Sequence, residues 1–350
     1  MRIAQIAPLY ESVPPRQYGG TERVVSYLTE ELVRLGHDVT LFATGDSVTA
    51  ARLVASRATA LREAAAEGVI DDFTAPHVRV LGEIINRASE FDVLHYHNGY
   101  LHFPLSRLLR VPHVTTMHGR LDLPELQPLF REFRDVPLVS ISNHQREPLA
   151  FANWAATVYH GLPPDLLSLG TGHGGYLAFL GRISPEKRVD RAIQVAERVG
   201  VELRIAAKVD DVDRVYYEER IRPMLQNSRV KFIGEIGETE KSEFLGNARA
   251  LLFPIEWPEP FGLVMVEALA CGTPVIAFRR GSVPEIISDS ETGFIVDSVD
   301  GAVAAVQRLE TLDRAQCRRV FEARFLARRM AEEYLAVYRR LTWERDAAAA

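Results

Sequence analysis

The chain has 350 residues, of which 47% are hydrophobic and 25% are charged, and its formal net charge is −6. This is ordinary globular composition, which excludes a largely disordered chain, and the length exceeds the roughly 100–200 residues of one domain, so we predict two domains. The negative balance disfavours a nucleic-acid partner.

The first half of the chain predicts a parallel sheet covered on both faces. Short apolar or β-branched runs alternate there with amphipathic segments that are long enough to form crossover helices. The first helix follows Gly20 and is closed by Gly36. The predicted strands of this half are 3–7, 39–43, 93–95, 112–116, 138–141 and 157–159.

A Pro- and Gly-rich stretch between Gly161 and Gly175 predicts a domain boundary near 162–175. A second alternating series follows it. We therefore predict two Rossmann-like, doubly wound α/β domains, 1–165 and 172–325, that face each other across a ligand-binding cleft. A helical tail at 326–345 is expected to cross back to the first domain. The predicted strands of the second half are 176–180, 203–206, 230–233, 250–253, 274–277 and 293–295.

The arginine-rich segment from about Asp313 to Arg345 has two readings. A solvated helical face is favoured over a surface that touches anionic lipid, because glutamates dilute the positive charge. The two cysteines suit a reducing compartment, and no run approaches the ~18 apolar residues of a membrane span. We expect a cytoplasmic protein with at most peripheral membrane contact.

Two motifs carry little weight. Gly170, Gly172 and Gly175 match a dinucleotide-binding pattern, but they precede a predicted strand instead of following one, which favours a linker. Asp211 and Asp213 have the spacing of a metal-binding D-x-D triplet, yet they fall where a helix begins, and acids are favoured there by the helix dipole.

Five of the ten histidines fall between His95 and His118, which leaves three interpretations open. They line the mouth of the cleft, they are scattered packing residues, or they hold a metal ion. The metal is the weakest interpretation because no Cys or carboxylate lies at ligand spacing, and we expect none. His97 is assigned to the acceptor side.

The segment from Gly181 to Lys187 directly follows a predicted strand and precedes a helix. Arg182 and Lys187 are therefore presented beside a helix N-terminus at the carboxyl end of the sheet, which favours binding of an anion such as a diphosphate. The alternative is an ordinary exposed turn with solvated charges.

Two glutamates flank the start of a later predicted helix. Glu259 precedes it and Glu267 follows eight residues later, about two turns on, so we expect both carboxylates on roughly the same side. Carboxylates accept hydrogen bonds from sugar hydroxyls, and the backbone N–H groups of Phe261, Gly262 and Leu263 suit a phosphate. A capping carboxylate plus a surface glutamate is the alternative.

The loop after the first strand combines glycines with polar side chains. Gly19 and Gly20 let backbone amides approach a ligand closely. The loop is long for a βα connection, and we predict that Glu11, Arg16 and Tyr18 shape an acceptor pocket.

Taken together, Gly19-Gly20, His118-Gly119, the Arg182…Lys187 segment and the Glu259…Glu267 motif resemble the retaining glycosyltransferases of family 4, which have the GT-B fold. The order and spacing match over nearly the whole chain. Two departures stand out, a single Gly281 where the family often has two glycines, and Lys208 in a turn that is commonly Gly-rich.

The resemblance implies a role for each motif toward a UDP-, GDP- or ADP-linked sugar. Arg182 and Lys187 would bind the diphosphate, Glu259 the sugar and Glu267 the ribose. Gly234, Glu235 and Ile236 would border the base. Gly20 would reach the phosphates, and His118 would lie near the reacting carbon, so that His118 and Glu259 are the catalytic candidates.

By the same resemblance, the sugar moves to a hydroxyl acceptor with retention, by a front-face mechanism without metal or cofactor. The acceptor is a small molecule, a natural product or a lipid-linked glycan. A sugar-nucleotide epimerase, a phosphorylase and a non-catalytic sugar-nucleotide-binding protein are the alternatives on this fold.

Overall fold

The structure is a computed structural model that describes residues 1–349. It contains two compact units. The first joins Met1–Gly161 to the C-terminal segment that begins at Ala327, and the second is Leu162–Leu326. Each unit contains one all-parallel sheet whose strands alternate with helices.

Residues 1–349 contain thirteen strands. They are β1 (Arg2–Ile6), β2 (Asp38–Thr44), β3 (Arg52–Arg57), β4 (Val93–Tyr96), β5 (His113–Thr116), β6 (Leu138–Ser140), β7 (Trp154–Thr157), β8 (Tyr176–Arg182), β9 (Glu202–Lys208), β10 (Val230–Gly234), β11 (Ala250–Phe253), β12 (Val275–Phe278) and β13 (Gly293–Val296). They form a seven-stranded sheet with the order β3-β2-β1-β4-β5-β6-β7 and a six-stranded sheet with the order β10-β9-β8-β11-β12-β13.

Helices alternate with the strands, and central strands such as β11 and β12 have consecutive buried residues, as parallel strands covered on both faces do. The helices are α1 (Gly20–Arg34), α2 (Leu61–Ala66), α3 (Thr74–Arg87), α4 (Phe103–Ser106), α5 (Leu126–Glu132), α6 (Asn143–Arg146), α7 (Val189–Val199), α8 (Arg214–Tyr216), α9 (Glu238–Gly246), α10 (Leu263–Ala270), α11 (Val283–Ile286), α12 (Val299–Gln307), α13 (Arg314–Arg324) and α14 (Ala327–Ala349). Shorter 3₁₀ turns lie at Ala88–Glu90, Glu147–Leu149, Asp211–Asp213, Arg222–Gln226 and Leu309–Thr311, and a π turn lies at Tyr217–Ile221.

The strand orders place a topological switch point in each sheet. The strands β2 and β3 are added on one side of β1, and β4 is then added on its other side. In the second sheet, β9 and β10 are added on one side of β8, and β11 is then added on its other side. Ligands of such sheets bind outside the carboxyl ends of the strands at this point. The loops after β1, β4, β8 and β11 are therefore the places to look for a site.

The first sheet corrects the sequence prediction at two strands. The strand expected at 157–159 is β7, which ends at Thr157, and β3 was not predicted. Both are edge strands. Every residue of β7 is half-buried, and most of β3 is half-buried or exposed, so neither carries the continuous apolar run of a central strand.

The Gly-rich stretch expected to be a linker lies inside the second unit. The N–H of Gly172 donates to the carbonyl of Gly246 and that of Gly174 to the carbonyl of Asn247, each at 2.9 Å. A Cβ on Gly170 would lie 2.1 Å from the carbonyl oxygen of Gly246. These glycines allow two backbone segments to pack closely.

No helix among the described residues is both long and apolar enough to cross a membrane.

Candidate active site

The loops after β8 and β11 are joined beside the switch point of the second sheet. The N–H of Glu256 donates to the carbonyl of Glu186 at 2.8 Å. The carboxylate of Glu256 forms ion pairs with Arg188, at 2.9 Å, and with Arg191. Arg188 has a left-handed backbone with φ 53°, a strained conformation for a non-glycine residue, and it directly follows Lys187. These contacts hold Lys187 against the loop after β11.

Lys187 and Glu259 form a nearly dry ion pair. The Nζ atom of Lys187 lies 2.5 Å from Oε2 of Glu259, and the two side chains are 17% and 11% exposed. The indole N–H of Trp257 donates to the same oxygen at 2.9 Å, and the Lys187 ammonium lies 5.3 Å from the centre of that ring. In the described part of the chain, Oε1 of Glu259 accepts no hydrogen bond from the protein. The pair therefore offers a cation and an acceptor oxygen side by side.

Arg182 is surrounded by carboxylates in this structure. It donates to Glu186 at 2.5 Å and to Asp210 at 3.4 Å, and it lies 3.4 Å from Asp213. Burial raises the pKa of Asp213, and the charge of Arg182 acts against that effect. Lys208 pairs with Asp210 at 2.9 Å. Any anion that binds Arg182 must therefore compete with these carboxylates for the guanidinium.

The two acids of the D-x-D triplet have different partners. Asp211 is exposed and pairs with Arg214 at 2.6 Å, whereas Asp213 lies beside Arg182. Both belong to the 3₁₀ turn Asp211–Asp213. Within residues 1–349, no group of three or more His, Cys, Asp or Glu side chains is placed to hold a metal ion.

Glu259 precedes α10 and Glu267 lies within it, as the sequence predicts, but the two carboxylates have different partners. Gly262 has a left-handed backbone with φ 77° and caps α10, which begins only at Leu263. Glu259 therefore lies outside the helix. Glu267 is inside it, is buried, and accepts a bond from Lys241 at 2.6 Å. Each glutamate has its own lysine, so the two carboxylates form separate binding elements.

Gly281 explains how the backbone of Glu259 is held. Gly281 has φ 53°, and a Cβ on it would lie 2.3 Å from both N and O of Glu259. The N–H of Ser282 donates to the carbonyl of Glu259 at 2.9 Å, and its hydroxyl donates to the carbonyl of Phe261 at 2.8 Å. A single glycine in the 280–285 segment is thus required by close packing on the loop that carries Glu259.

The loop predicted to border a base lies at the carboxyl end of β10. Gly234 ends that strand with φ 80°, and Glu235 and Ile236 follow it. The pairing of β10 with β9 shifts register between Phe232 and Gly234. In the sheet order, β10 is separated from β8 by β9, so this loop and the loop after β8 both lie at the carboxyl ends of parallel strands.

In the first unit, the two glycines after β1 differ in their surroundings. Gly19 is the cap of α1, and a Cβ on it would lie 2.7 Å from Pro15. Gly20 begins the helix and has open space where a Cβ would lie. Glu22, in the first turn, is buried, and burial raises its pKa to about 7.

The acceptor candidates of the long loop are anchored to α2 or exposed. Glu11 pairs with Arg62 at 3.0 Å and Arg16 with Glu63 at 2.9 Å, and both of these partners belong to α2. Tyr18 is 41% exposed. The two ion pairs attach the loop to the helix at two points.

His97 is not an acceptor contact, which corrects the sequence assignment. Its side chain is buried, and both ring nitrogens have protein partners. Nδ1 lies 2.9 Å from Nε2 of His118, and Nε2 lies 2.7 Å from Oε1 of Gln5. His118 stacks on His160 at 5.3 Å. Burial lowers the pKa of His118 to about 3, so this ring is neutral near pH 7.

Two further histidines of the group are core residues. His95 is fully buried and lies 2.7 Å from the hydroxyl of Tyr338. His102 is buried and stacks on Tyr96 with the ring centres 3.7 Å apart. The interpretation of the five histidines as a lining for the cleft is therefore wrong for His95 and His102.

Sequence reasoning missed several residues that support these elements. Trp257, two positions before Glu259, was visible as a neighbour that can donate to a carboxylate. Arg188 and Gln5 gave no local signal, because their roles depend on a backbone conformation and on contacts with distant residues.

Two family models match the chain. The model described as Glycosyltransferase Family 4 matches residues 18–159, and the model described as Glycosyl transferases group 1 matches residues 172–323. Together they cover most of both units.

Named relatives agree with these matches. The chain is 27% identical over 333 residues to phosphatidyl-myo-inositol mannosyltransferase of Mycobacterium leprae, which covers 87% of this chain and 86% of the relative. AviGT4, a glycosyltransferase involved in avilamycin A biosynthesis, matches with a TM-score of 0.73 at 24% identity over 98% of both chains. HepE of Anabaena, in complex with UDP and glucose, matches with a TM-score of 0.73 at 16% identity over 96% of this chain and 98% of HepE. The two solved structures show a shared fold.

Proposed function

The chain belongs to the family 4 glycosyltransferases, and on that premise we propose that it moves a sugar from a nucleotide-diphosphate sugar to a hydroxyl acceptor with retention of anomeric configuration. Its fold is GT-B and its enzyme class is transferase. We further propose that the transfer needs neither a metal ion nor a cofactor.

The observation that carries the proposal is the Lys187–Glu259 ion pair, which contacts Trp257 and lies beside the switch point between β8 and β11. A sugar nucleotide presents hydroxyl donors and a diphosphate within one molecule. A carboxylate accepts hydrogen bonds from hydroxyls, and a lysine ammonium donates to phosphate oxygens. The arrangement supports a ligand that carries both groups close together.

The same residues suit the charge that develops during transfer. The departing nucleoside diphosphate gains negative charge, and fixed cations and helix-start amides stabilise it where it appears. Lys187 and the first N–H groups of α10, next to Gly262 and Leu263, are assigned this role. Arg182 would bind the diphosphate after phosphate oxygens replace Glu186 as its partner. Glu267 would accept bonds from the ribose.

The reaction we propose is a front-face displacement. The acceptor hydroxyl attacks the anomeric carbon on the face from which the diphosphate leaves, and a phosphate oxygen takes the hydroxyl proton. The bond from carbon to phosphate oxygen breaks as the new glycosidic bond forms. No carboxylate nucleophile is required, and Glu259 and His118 orient the sugar.

The proposed donor is a UDP-, GDP- or ADP-linked sugar, and the complex of the similar protein HepE with UDP and glucose supports the first of these. The acceptor class is proposed as a small molecule, a natural product or a lipid-linked glycan. The similarity to a phosphatidyl-myo-inositol mannosyltransferase and to a glycosyltransferase involved in avilamycin A biosynthesis is compatible with this range. A cytoplasmic location is proposed with it, because the cysteines Cys271 and Cys317 are free and buried.

A panel of sugar nucleotides tests the proposal in two steps. A thermal-shift screen identifies the donor, because a ligand at 100 times its Kd stabilises the folded state by about 2.7 kcal/mol. Labelled donor is then followed with and without a candidate hydroxyl acceptor. Acceptor-dependent transfer supports the proposal. Dependence on inorganic phosphate, isomerisation of the sugar without transfer, or binding without turnover would refute it.

A further inference from the structure

A continuous set of buried hydrogen bonds runs through the first unit and ends at His118. Gln5, on β1, lies at its centre and is fully buried. One arm runs from the Gln5 side chain to His97 and then to His118, at 2.7 and 2.9 Å. The other arm runs to Tyr338 and His95, at 3.1 and 2.7 Å.

The Gln5 amide gives the first arm a direction. Its nitrogen donates to the hydroxyl of Tyr338, so its oxygen is the atom that faces His97. An amide oxygen only accepts hydrogen bonds. The Nε2 atom of His97 must therefore carry a proton and donate it to Gln5.

The direction then passes to His118. Burial holds the pKa of His97 well below its usual range, so the ring is neutral and has one N–H. Since that proton is on Nε2, the Nδ1 atom of His97 accepts, and Nε2 of His118 donates. His118 is neutral as well, so its own Nδ1 carries a lone pair. Among the described residues, this buried atom has no hydrogen-bond partner.

The second arm agrees with this direction. The hydroxyl of Tyr338 accepts from Gln5, so its proton points to Nδ1 of His95. The Nε2 of His95 then donates to the hydroxyl of Thr116 at 2.7 Å. Thr116 lies 2.8 Å from the hydroxyl of Tyr334, where a donor and an acceptor are both available. Each hydrogen bond in the two arms then has one donor and one acceptor.

We infer that the Gln5 amide, acting through His97, sets the tautomer of His118 so that Nδ1 presents an acceptor to a hydroxyl of the bound sugar. Gln5 and His97 are therefore positioning residues. The inference rests on the proposed function for the identity of the ligand, but not for the tautomer itself. The opposite direction would place a proton on Nδ1, where a carbonyl or phosphate oxygen would be the matching ligand group.

The tautomer is measured directly by NMR of the full chain labelled with ¹⁵N-histidine. The His118 signals are assigned from their loss in His118→Asn. We expect a neutral ring with its proton on Nε2 and an unprotonated Nδ1. A proton on Nδ1, or a charged ring at pH 7, would overturn the inference without any activity measurement.

Gln5→Met tests the source of the direction, because methionine fills a similar volume but cannot accept the bond from His97. We expect a mixture of His118 tautomers, a roughly tenfold higher KM for the sugar nucleotide, the effect of one lost hydrogen bond, and an unchanged Kd for the sugar-free nucleoside diphosphate. Tyr334→Phe is the matched control, since it removes a buried hydrogen bond at the far end and should change none of these values.

An unchanged His118 tautomer in Gln5→Met, or equal effects of Gln5→Met and Tyr334→Phe, would overturn the role of Gln5. If the wild-type chain turns over no sugar nucleotide, the proposed function fails, while the ¹⁵N spectra still decide the tautomer. The two failures are therefore distinguishable.

Discussion

Glu22 closely follows the glycines that we propose to face the phosphates. Replacing it by glutamine should remove a pH-dependent loss of folding stability. Glu22 lies in the first turn of α1 and is 5% exposed. Burial raises its pKa from 4.5 to about 7, and the charge of Glu11 adds to the rise. Its own backbone N–H and the charge of Arg62 act in the opposite direction.

The shift converts into a pH-dependent free energy of unfolding. The folded-state pKa is above the unfolded value, so the folded state holds the proton more tightly, and stability is lost as the pH rises from 4.5 through about 7. At about 1.4 kcal/mol per pKa unit, ionised Glu22 lowers the stability of the folded chain by about 3 kcal/mol at pH 8 and by under about 1 kcal/mol at pH 5. Glutamine keeps an acceptor oxygen but has no charge.

Urea unfolding at pH 5 and pH 8 measures this effect. Glu22→Gln should gain about 2 to 3 kcal/mol over the parent between the two pH values. The control is Glu31→Gln, since Glu31 is buried in the same helix but pairs with Arg34, and we expect no such gain. An equal pH dependence in Glu22→Gln and the parent would refute the argument from burial.

Three further predictions concern the second unit and the reaction. Gly281→Ala should lose transfer and lower the free energy of unfolding in urea by about 2–4 kcal/mol, because its Cβ would collide with the backbone of Glu259. The control Gly68→Ala, at a left-handed glycine with open space around it, should lower the free energy of unfolding by only about 1–2 kcal/mol. Equal losses of stability in the two variants would contradict the proposed collision. Measured by calorimetry, Glu267→Ala should bind the free nucleoside diphosphate more weakly than the parent, whereas Glu259→Ala should bind it with nearly the parent's affinity, and both variants should lose transfer. Equal affinities of the parent and both variants for the nucleoside diphosphate would refute the division of roles. Activity should survive a strong chelator; loss that is restored by Mn²⁺ or Mg²⁺ would show that a metal takes part.

Local sequence patterns predicted the parts of the fold that depend on continuous burial. Central strands such as β8 and β11 are short apolar runs bounded by turns, and α7, which follows β8, buries Val189, Ala192, Ile193 and Ala196 at helical spacing. The half-exposed edge strand β3 has no such run and was missed. The Gly-rich stretch 170–175 was assigned to a linker because its packing partner, Gly246, is more than seventy residues away.

The same limit applies to the candidate site. Lys187 and Glu259 were predicted from their places beside a strand and a helix, and the structure brings them into contact. Glu259 was predicted to precede the helix that contains Glu267, and α10 begins at Leu263 as expected. The bond from Lys241 to Glu267 had no local signal, because the two residues lie on different helices. The Gln5–Tyr338 bond joins residues 333 positions apart, so no local pattern could indicate it.

The most direct test of the account compares kcat/KM for the identified sugar nucleotide in the parent and in Lys187→Ala. Lys231→Ala serves as the control, since Lys231 is an exposed lysine of β10 that pairs with Glu202. We predict that Lys187→Ala lowers kcat/KM roughly 10²–10³-fold, the scale for losing one donor to developing charge, and that Lys231→Ala has a near-normal kcat/KM. Near-normal turnover in Lys187→Ala would assign the Lys187–Glu259 pair to an ordinary surface turn and contradict the central claim.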